Sequence, residues 1–113
     1  MIYKVQLKNF EGPLDLLLYF IRRDELDIYD IPIAKITKDF IAVIEQWKRA
    51  NLVLAGDFIV MASTLMRVKA KMMLPRPELD EDGEIIDPRE ELIQQLIKLN
   101  LFQRVSQRRP HQW

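Results

Sequence analysis

The side chains that most often do chemistry in proteins are scarce in this sequence. It contains no cysteine and one histidine, His111, two residues from its end. A zinc-type metal site needs several Cys or His ligands, and a nucleophilic serine needs a base beside it, which Ser63 and Ser106 lack. The three glycines are far apart and form no phosphate-binding loop. We therefore expect a protein that is not an enzyme and that uses no metal or other cofactor.

Carboxylates are numerous but are poorly placed for acid–base catalysis. Eight of the 17 acidic residues fall between Glu78 and Glu91, where Arg89 is the one base. In an exposed segment water keeps carboxyl pKa values ordinary, whereas catalytic acid–base pairs need burial in a cleft. From Lys98 onward there are four bases and no acid. Acids and bases balance at 17 each, which is unlike a dedicated DNA-binding protein.

Composition predicts a single soluble globular domain. The chain has 113 residues, of which 49% are hydrophobic and 30% charged. The absence of cysteine fits a reducing cytoplasm. No charged start followed by an apolar run is visible, so we expect no secretory signal. The longest apolar-rich stretch, Leu52 to Met66, is shorter than a membrane span, so we expect no membrane partner. Since no catalytic constellation is visible, we expect no small-molecule substrate.

Hydrophobic periodicity predicts an all-α fold, a small bundle of three to four helices after a short extended strand. The strand is indicated by alternating apolar and polar residues from Tyr3 to Leu7. Pro13 suits the first position of the first helix because a helix does not use the N–H of that residue. Pro32 opens the second helix in the same way, with Asp30 or Ile31 as its cap.

Two more helices complete the predicted bundle. The third runs from about Ala55 to Leu74, and the fourth opens at Asp87, which can cap it. We divide the chain into three segments. They are a helical domain over residues 1–75, an acidic linker over residues 76–87, and an amphipathic helix with a basic tail over residues 88–113.

The third helix is apolar on nearly all sides over its first two-thirds. Such a helix must be buried all round, yet small domains bury a smaller fraction of their surface. Either its own chain covers it completely, or one face packs inward and another packs on a partner helix. Methionines adapt easily to a second surface, and the chain places four of them here: Met61, Met66, Met72 and Met73. Lys69 and Lys71 can pair with acids of a partner.

Four ordered blocks of sequence carry a resemblance to a known family. They are YKVQLKNFEGPLDLLL at residues 3–18, LDIYDIPIAKIT at 26–37, LAGDFIVMASTL at 54–65 and DPREEL at 87–92. At matching spacing over residues 3–97, they resemble ScpA, the bacterial segregation and condensation protein family.

The resemblance implies a non-catalytic kleisin subunit of the bacterial SMC–ScpA–ScpB condensin-like complex, which serves chromosome condensation and segregation. In that family the N-terminal helical domain docks through its third helix on the coiled-coil neck beside the SMC ATPase head. An ScpB dimer wraps the middle segment, and DNA is contacted only indirectly through the complex. The resemblance also implies a cytoplasmic, nucleoid-associated protein.

The resemblance also indicates which residues face each partner. Those that we expect to face the SMC neck lie on the third helix: Phe58, Ile59, Ala62, Leu65, Met66 and Lys69. Those that we expect on the ScpB side lie on the fourth helix: Leu92, Ile93, Leu96 and Ile97.

The sequence departs from the family pattern in two respects. The family's C-terminal winged-helix domain does not follow, and residues 98–113 diverge from the family. We interpret this as a truncation, a frameshifted reading frame or an artificially chosen end.

One alternative function is a stand-alone nucleic-acid binder that uses Arg67–Lys71 and the tail, although the balanced charge argues against it. The other is a self-associating helical bundle, in which the apolar helix meets its own copy.

Overall fold

The computed structural model describes residues 6–107, which form a small bundle of four α-helices with no β-sheet among them. A 3-10 turn, Leu7–Asn9, precedes the first helix, and a second, Ile28–Asp30, precedes the second helix. The helices are α1 (Pro13–Arg23), α2 (Ile33–Arg49), α3 (Gly56–Met72) and α4 (Glu90–Gln107). The predicted all-α bundle is therefore confirmed. The predicted strand falls mainly on residues 1–5, outside the described residues, and Leu7 begins the first 3-10 turn.

The helix starts follow local chemistry, with corrections at α2 and α4. Helix α4 begins at Glu90 and not directly after Asp87 as predicted. Helix α1 begins at Pro13, as predicted. Helix α2 begins at Ile33, and its cap is Pro32, so the prediction of Asp30 or Ile31 as the cap was wrong. The reason lies just upstream, where the Asp27 carboxylate accepts a hydrogen bond of 2.9 Å from the backbone N–H of Tyr29. That bond closes a separate turn over Ile28–Asp30, which delays the start of α2.

The core lies between α1, α2 and α3. The Phe58 ring of α3 stacks on Phe40 of α2 at 6.4 Å and meets the edge of Trp47 at 5.8 Å. Helix α1 contributes side chains that are at most 1% exposed, which makes it the most enclosed helix of the bundle. They are Leu16, Leu17, Leu18 and Phe20.

Helix α4 packs against α1 and shares its core. Asn100 accepts a hydrogen bond of 2.7 Å from the Arg22 guanidinium at the end of α1. Gln103, further along α4, donates one of 3.0 Å to Asp15 near the start of α1. Helix α4 therefore folds back on the bundle, while the proposed division at residues 75 and 88 stays a prediction. In the described part of the chain no helix is both long and apolar enough to cross a membrane.

Residues 76–87, which composition predicted as an acidic linker, contain an ordered turn. The backbone N–H of Ile86 donates to the carbonyl of Glu78 at 2.8 Å, and that of Asp80 donates to the carbonyl of Glu84 at 2.9 Å. Leu79 and Ile85 form an antiparallel bridge between these bonds. We call residues 78–86 the hairpin.

Candidate docking surface on the third helix

One side of α3 is fixed in the core of the protein. Four side chains at spacings of three and four residues point inward, and none is more than 9% exposed: Phe58, Met61, Leu65 and Val68. This is the spacing of one helix face, so the inward face of α3 is occupied by packing against α1 and α2.

The outward side of α3 carries a second apolar row. Its members follow one another at spacings of three, four, three and four residues, and we call them the docking stripe: Ile59, Ala62, Met66, Lys69 and Met73. Ile59, Met66 and Met73 are 45%, 55% and 72% exposed. This alternation of three and four is the spacing of a coiled-coil seam. Ala62 is partly buried against the core, so the exposed apolar part of this seam consists of Ile59, Met66 and Met73.

The six neck-facing candidates divide between these two faces. Phe58 and Leu65 are 3% and 0% exposed and pack in the protein's own core, so no partner reaches them without unfolding. The other four lie together on the docking stripe: Ile59, Ala62, Met66 and Lys69. The sequence could not separate Phe58 and Leu65 from Ile59 and Met66, because all four side chains are large and apolar. The sequence analysis named Met73 among the methionines suited to a second surface but not among the neck-facing residues; it is the helix cap and extends the stripe by one position.

Charges are arranged along α3 in the direction that its dipole favours. Asp57 lies in the first turn, and Lys69 and Lys71 lie in the last. The Lys71 ammonium lies 3.7 Å from the Glu78 carboxylate at the start of the hairpin. The basic end of the helix is thereby next to an acidic turn of the same chain.

The ScpB-side candidates on α4 lie against the bundle. Leu92, Ile93 and Leu96 are buried in the core, and Ile97 is partly buried against it. The exposed apolar side chains of α4 come later: Leu101, Phe102 and Val105, at 61%, 67% and 57% exposure. Their sequence signal, three apolar residues within five positions near the end of a helix, was available but was not used.

A guanidinium holds the start of α4 against the start of α2. Arg89 donates to both carboxylate oxygens of Asp87, at 3.1 and 2.9 Å. These hydrogen bonds lower the pKa of Asp87, although partial burial opposes the shift. Arg89 also donates to the backbone oxygen of Ile31 at 2.9 Å. Its side chain is 15% exposed, so this contact fixes the chain directly after the hairpin.

Over residues 6–107 no group of three or more His, Cys, Asp or Glu side chains is placed to hold a metal ion. The spacing and exposure of the docking stripe suit binding of another helix.

The chain is similar to proteins of one named family. The family model described as segregation and condensation protein ScpA matches residues 20–112. A segregation and condensation protein A of Lactobacillus johnsonii is 48% identical over 104 residues, which cover 91% of this chain and 42% of that protein. The protein of that name from Oceanobacillus iheyensis is 46% identical over 109 residues, 94% of this chain and 44% of the relative. The chain thus spans less than half the length of these relatives.

Proposed function

This chain belongs to the segregation and condensation protein ScpA family, and we propose that it is a non-catalytic docking module serving chromosome segregation and condensation. Its proposed partner is the coiled-coil neck of an SMC protein next to the ATPase head, which the docking stripe contacts. The proposed place of action is the nucleoid in the cytoplasm. DNA is reached only through the partner complex.

The exposure of the docking stripe is the observation that carries this proposal. Met66 is 55% exposed, whereas its neighbour Leu65 is 0% exposed, so α3 has an inner and an outer apolar face. Monomeric proteins rarely leave a row of large apolar side chains in water without a partner. A neck made of two helices offers the matching surface, because seams of the same spacing interlock side chain into groove.

Charge supports the same partner. Lys69 lies within the stripe and Arg67 and Lys71 lie beside it, at the C-terminal end of α3. A neck helix with acidic residues at this level would pair with them and fix its register along the stripe. Pairs of this kind at the rim of an interface contribute more to specificity than to affinity.

A binding experiment with two neighbouring substitutions tests the proposal. The chain is mixed at micromolar concentration with an SMC head-plus-neck fragment, and the complex is followed by size-exclusion chromatography and calorimetry. Met66→Glu should abolish the complex and keep the helical circular dichroism, because its side chain lies in water in the free protein. Leu65→Glu should unfold the chain, because it buries an unpaired charge. If Met66→Glu binds like the unchanged chain, the stripe is not the docking surface.

The exposed end of α4 is the second part of the proposal. We propose that Leu101, Phe102 and Val105 face the ScpB dimer, in place of the buried Leu92, Ile93 and Leu96. Their exposure supports this, since more than half of the surface of each residue is accessible to solvent. Phe102→Ser should weaken binding of an ScpB dimer and leave binding of the SMC fragment unchanged. Equal ScpB binding by Phe102→Ser and the unchanged chain would contradict this part.

The stripe also gives self-association a specific structural basis. Two copies can pair α3 against α3, because the stripe has the spacing of a coiled-coil seam. Light scattering of the isolated chain distinguishes the two cases. A monomer supports the SMC assignment, whereas a dimer that Met66→Glu dissociates supports self-association.

A further inference from the structure

The hairpin holds a second apolar surface beside the end of α3. Leu79 and Ile85 are bridge partners, and directly opposed residues of an antiparallel pair point to the same side. They are 56% and 70% exposed. Two aliphatic side chains of an otherwise acidic segment therefore share one face and lie in water.

The turn of the hairpin is well fixed for a segment of this composition. The Asp80 carboxylate oxygen Oδ1 accepts hydrogen bonds of 2.9 Å from the backbone N–H groups of Asp82 and Glu84. Gly83 has φ +78°, a conformation that other residues rarely adopt. The side chains of Leu79 and Ile85 are thus held in place before any partner arrives, which lowers the entropic cost of binding.

A cavity of about 270 Å³ separates the hairpin from the end of α3. Its apolar lining comes from both elements, from Met72 and Leu74 on one side and from Ile85 and Ile86 on the other. We call it the notch. Met73, the last member of the docking stripe, lies in sequence between Met72 and Leu74, although it does not itself line the notch. Two apolar surfaces, the end of the docking stripe and the notch, therefore lie at the last turn of α3.

The charge of the hairpin specifies what this surface can bind. Glu81, Asp82 and Glu84 are exposed, and none of them makes a salt bridge within residues 6–107. Three carboxylates this close repel one another, and a cationic partner would relieve that repulsion. An acidic rim around apolar side chains matches a helix that is apolar on one side and basic beside it.

We propose that the hairpin is a second contact for the same neck helix that occupies the docking stripe. That helix continues past Met73, inserts an apolar side chain into the notch, and carries Lys or Arg residues against Glu81, Asp82 and Glu84. The inference rests on the proposed function, since it assumes a helix already seated on the stripe. It adds the register of that helix and the sign of its charge at this level.

The affinity of hairpin variants for the SMC head-plus-neck fragment tests the proposal. The double substitution Leu79→Ser with Ile85→Ser should weaken binding by about tenfold or more, with an unchanged melting temperature. Val53→Ser, which changes an aliphatic side chain that is 90% exposed between α2 and α3, is the control and should bind like the unchanged chain. Equal affinity of the double variant and the unchanged chain would overturn the hairpin contact and leave the stripe untouched. Failure of the unchanged chain to bind would overturn both proposals.

Salt dependence tests the charge of the partner. The triple substitution Glu81→Gln, Asp82→Asn and Glu84→Gln should make the dissociation constant less sensitive to salt, because the screened attraction is lost. Asp80 is left unchanged because it holds the turn. Glu45→Gln, an exposed site on α2, should keep the original salt dependence. An unaltered salt dependence in the triple variant would contradict a basic partner surface.

Crosslinking locates the contact directly. The sequence has no cysteine, so Ile85→Cys and Leu101→Cys each carry one site for a photoreactive maleimide. With the SMC fragment bound, the label at residue 85 should crosslink to the neck and the label at residue 101 should not. Crosslinking from both positions at the same yield would contradict a specific hairpin contact.

Discussion

Arg89 and Asp30 are joined by a hydrogen bond of 2.7 Å from Nη1 to Oδ1, across 59 positions of the chain. The same nitrogen donates to the backbone oxygen of Ile31 at 2.9 Å. One guanidinium therefore connects the start of α4 to the chain just before α2. Because Arg89 follows the hairpin directly, this contact also anchors the hairpin at its C-terminal end.

Replacement of Arg89, whose side chain is 15% exposed, should destabilise the protein. In Arg89→Lys one ammonium cannot reproduce the fork that reaches Asp30, Asp87 and the Ile31 carbonyl together. We expect the free energy of unfolding to fall by about 1–2 kcal/mol, the scale of hydrogen bonds to charged groups. Urea denaturation measures this. Arg49→Ala replaces an exposed arginine at the end of α2 and is the control, for which the free energy of unfolding should change little. An equal decrease in both variants would show that the hydrogen bonds of Arg89 do not stabilise the fold specifically.

Thr37 offers a stabilising substitution. Its side chain is 3% exposed, and its hydroxyl has no hydrogen-bond partner in the described structure. A buried polar group without a partner costs free energy, so Thr37→Val should raise the free energy of unfolding by about 1 kcal/mol. Thr37→Ser keeps the hydroxyl and loses a methyl group, so it should destabilise. Thermal unfolding of the three proteins gives the order, and a valine variant less stable than the serine variant would contradict this explanation.

Acid should weaken the contact between α1 and α2 at Asp24. The hydrogen bond from Arg23, and then the one from Lys35 at 2.8 Å, hold the pKa of Asp24 well below its ordinary 3.8. A carboxyl group with a lowered pKa in the folded state stabilises the fold above its ordinary pKa and loses that contribution as the pH falls through the lowered value. The free energy of unfolding should therefore fall more steeply below about pH 4 in the unchanged chain than in Asp24→Asn. Glu45→Gln, which removes an exposed carboxylate, should keep the steep fall. Parallel curves for the unchanged chain and Asp24→Asn would contradict the assignment.

Gly83 should be replaceable by asparagine but not by alanine. No atom lies within 4 Å of where a Cβ would be added, so space is not the restriction. The restriction is φ +78°, which asparagine tolerates better than alanine. Gly83→Ala should therefore loosen the hairpin and speed hydrogen exchange at the Ile86 N–H, whereas Gly83→Asn should keep exchange close to the original rate. Equal exchange in both variants would show that the turn does not depend on this conformation.

The sequence predicted the helices well and the faces of α3 poorly. Pro13 marked the start of α1, and Pro75 limited the end of α3, because proline restricts the backbone locally. Phe58 and Ile59 are both large and apolar, yet one is 3% exposed and the other 45%. The packing of α2 against Phe58 decides this, and that packing joins residues far apart in sequence.

The hairpin and the Arg89 contact show two further limits. Acidic composition led to the prediction of a linker at residues 76–87. An Asp82-Gly83 pair between Leu79 and Ile85 is, however, typical of a tight turn between paired segments. The local pattern was available and was outweighed by the acidic composition. The Arg89–Asp30 bond is different, because no local pattern predicts which of 17 acidic residues a guanidinium will reach 59 positions away.

Labelling protection along α3 tests the docking stripe most directly. Single cysteines are placed at Ile59, Met66 and Met73, and in a matched series on the other side of the helix. The matched series has the same spacing of seven residues and leaves out Lys71, which lines the notch: Asp57 and Thr64. Each protein is then labelled with a maleimide in the presence and absence of the SMC head-plus-neck fragment. The account predicts that the fragment slows labelling at residues 59, 66 and 73 far more than at residues 57 and 64. Equal protection of the two series, or stronger protection of the second, would contradict it.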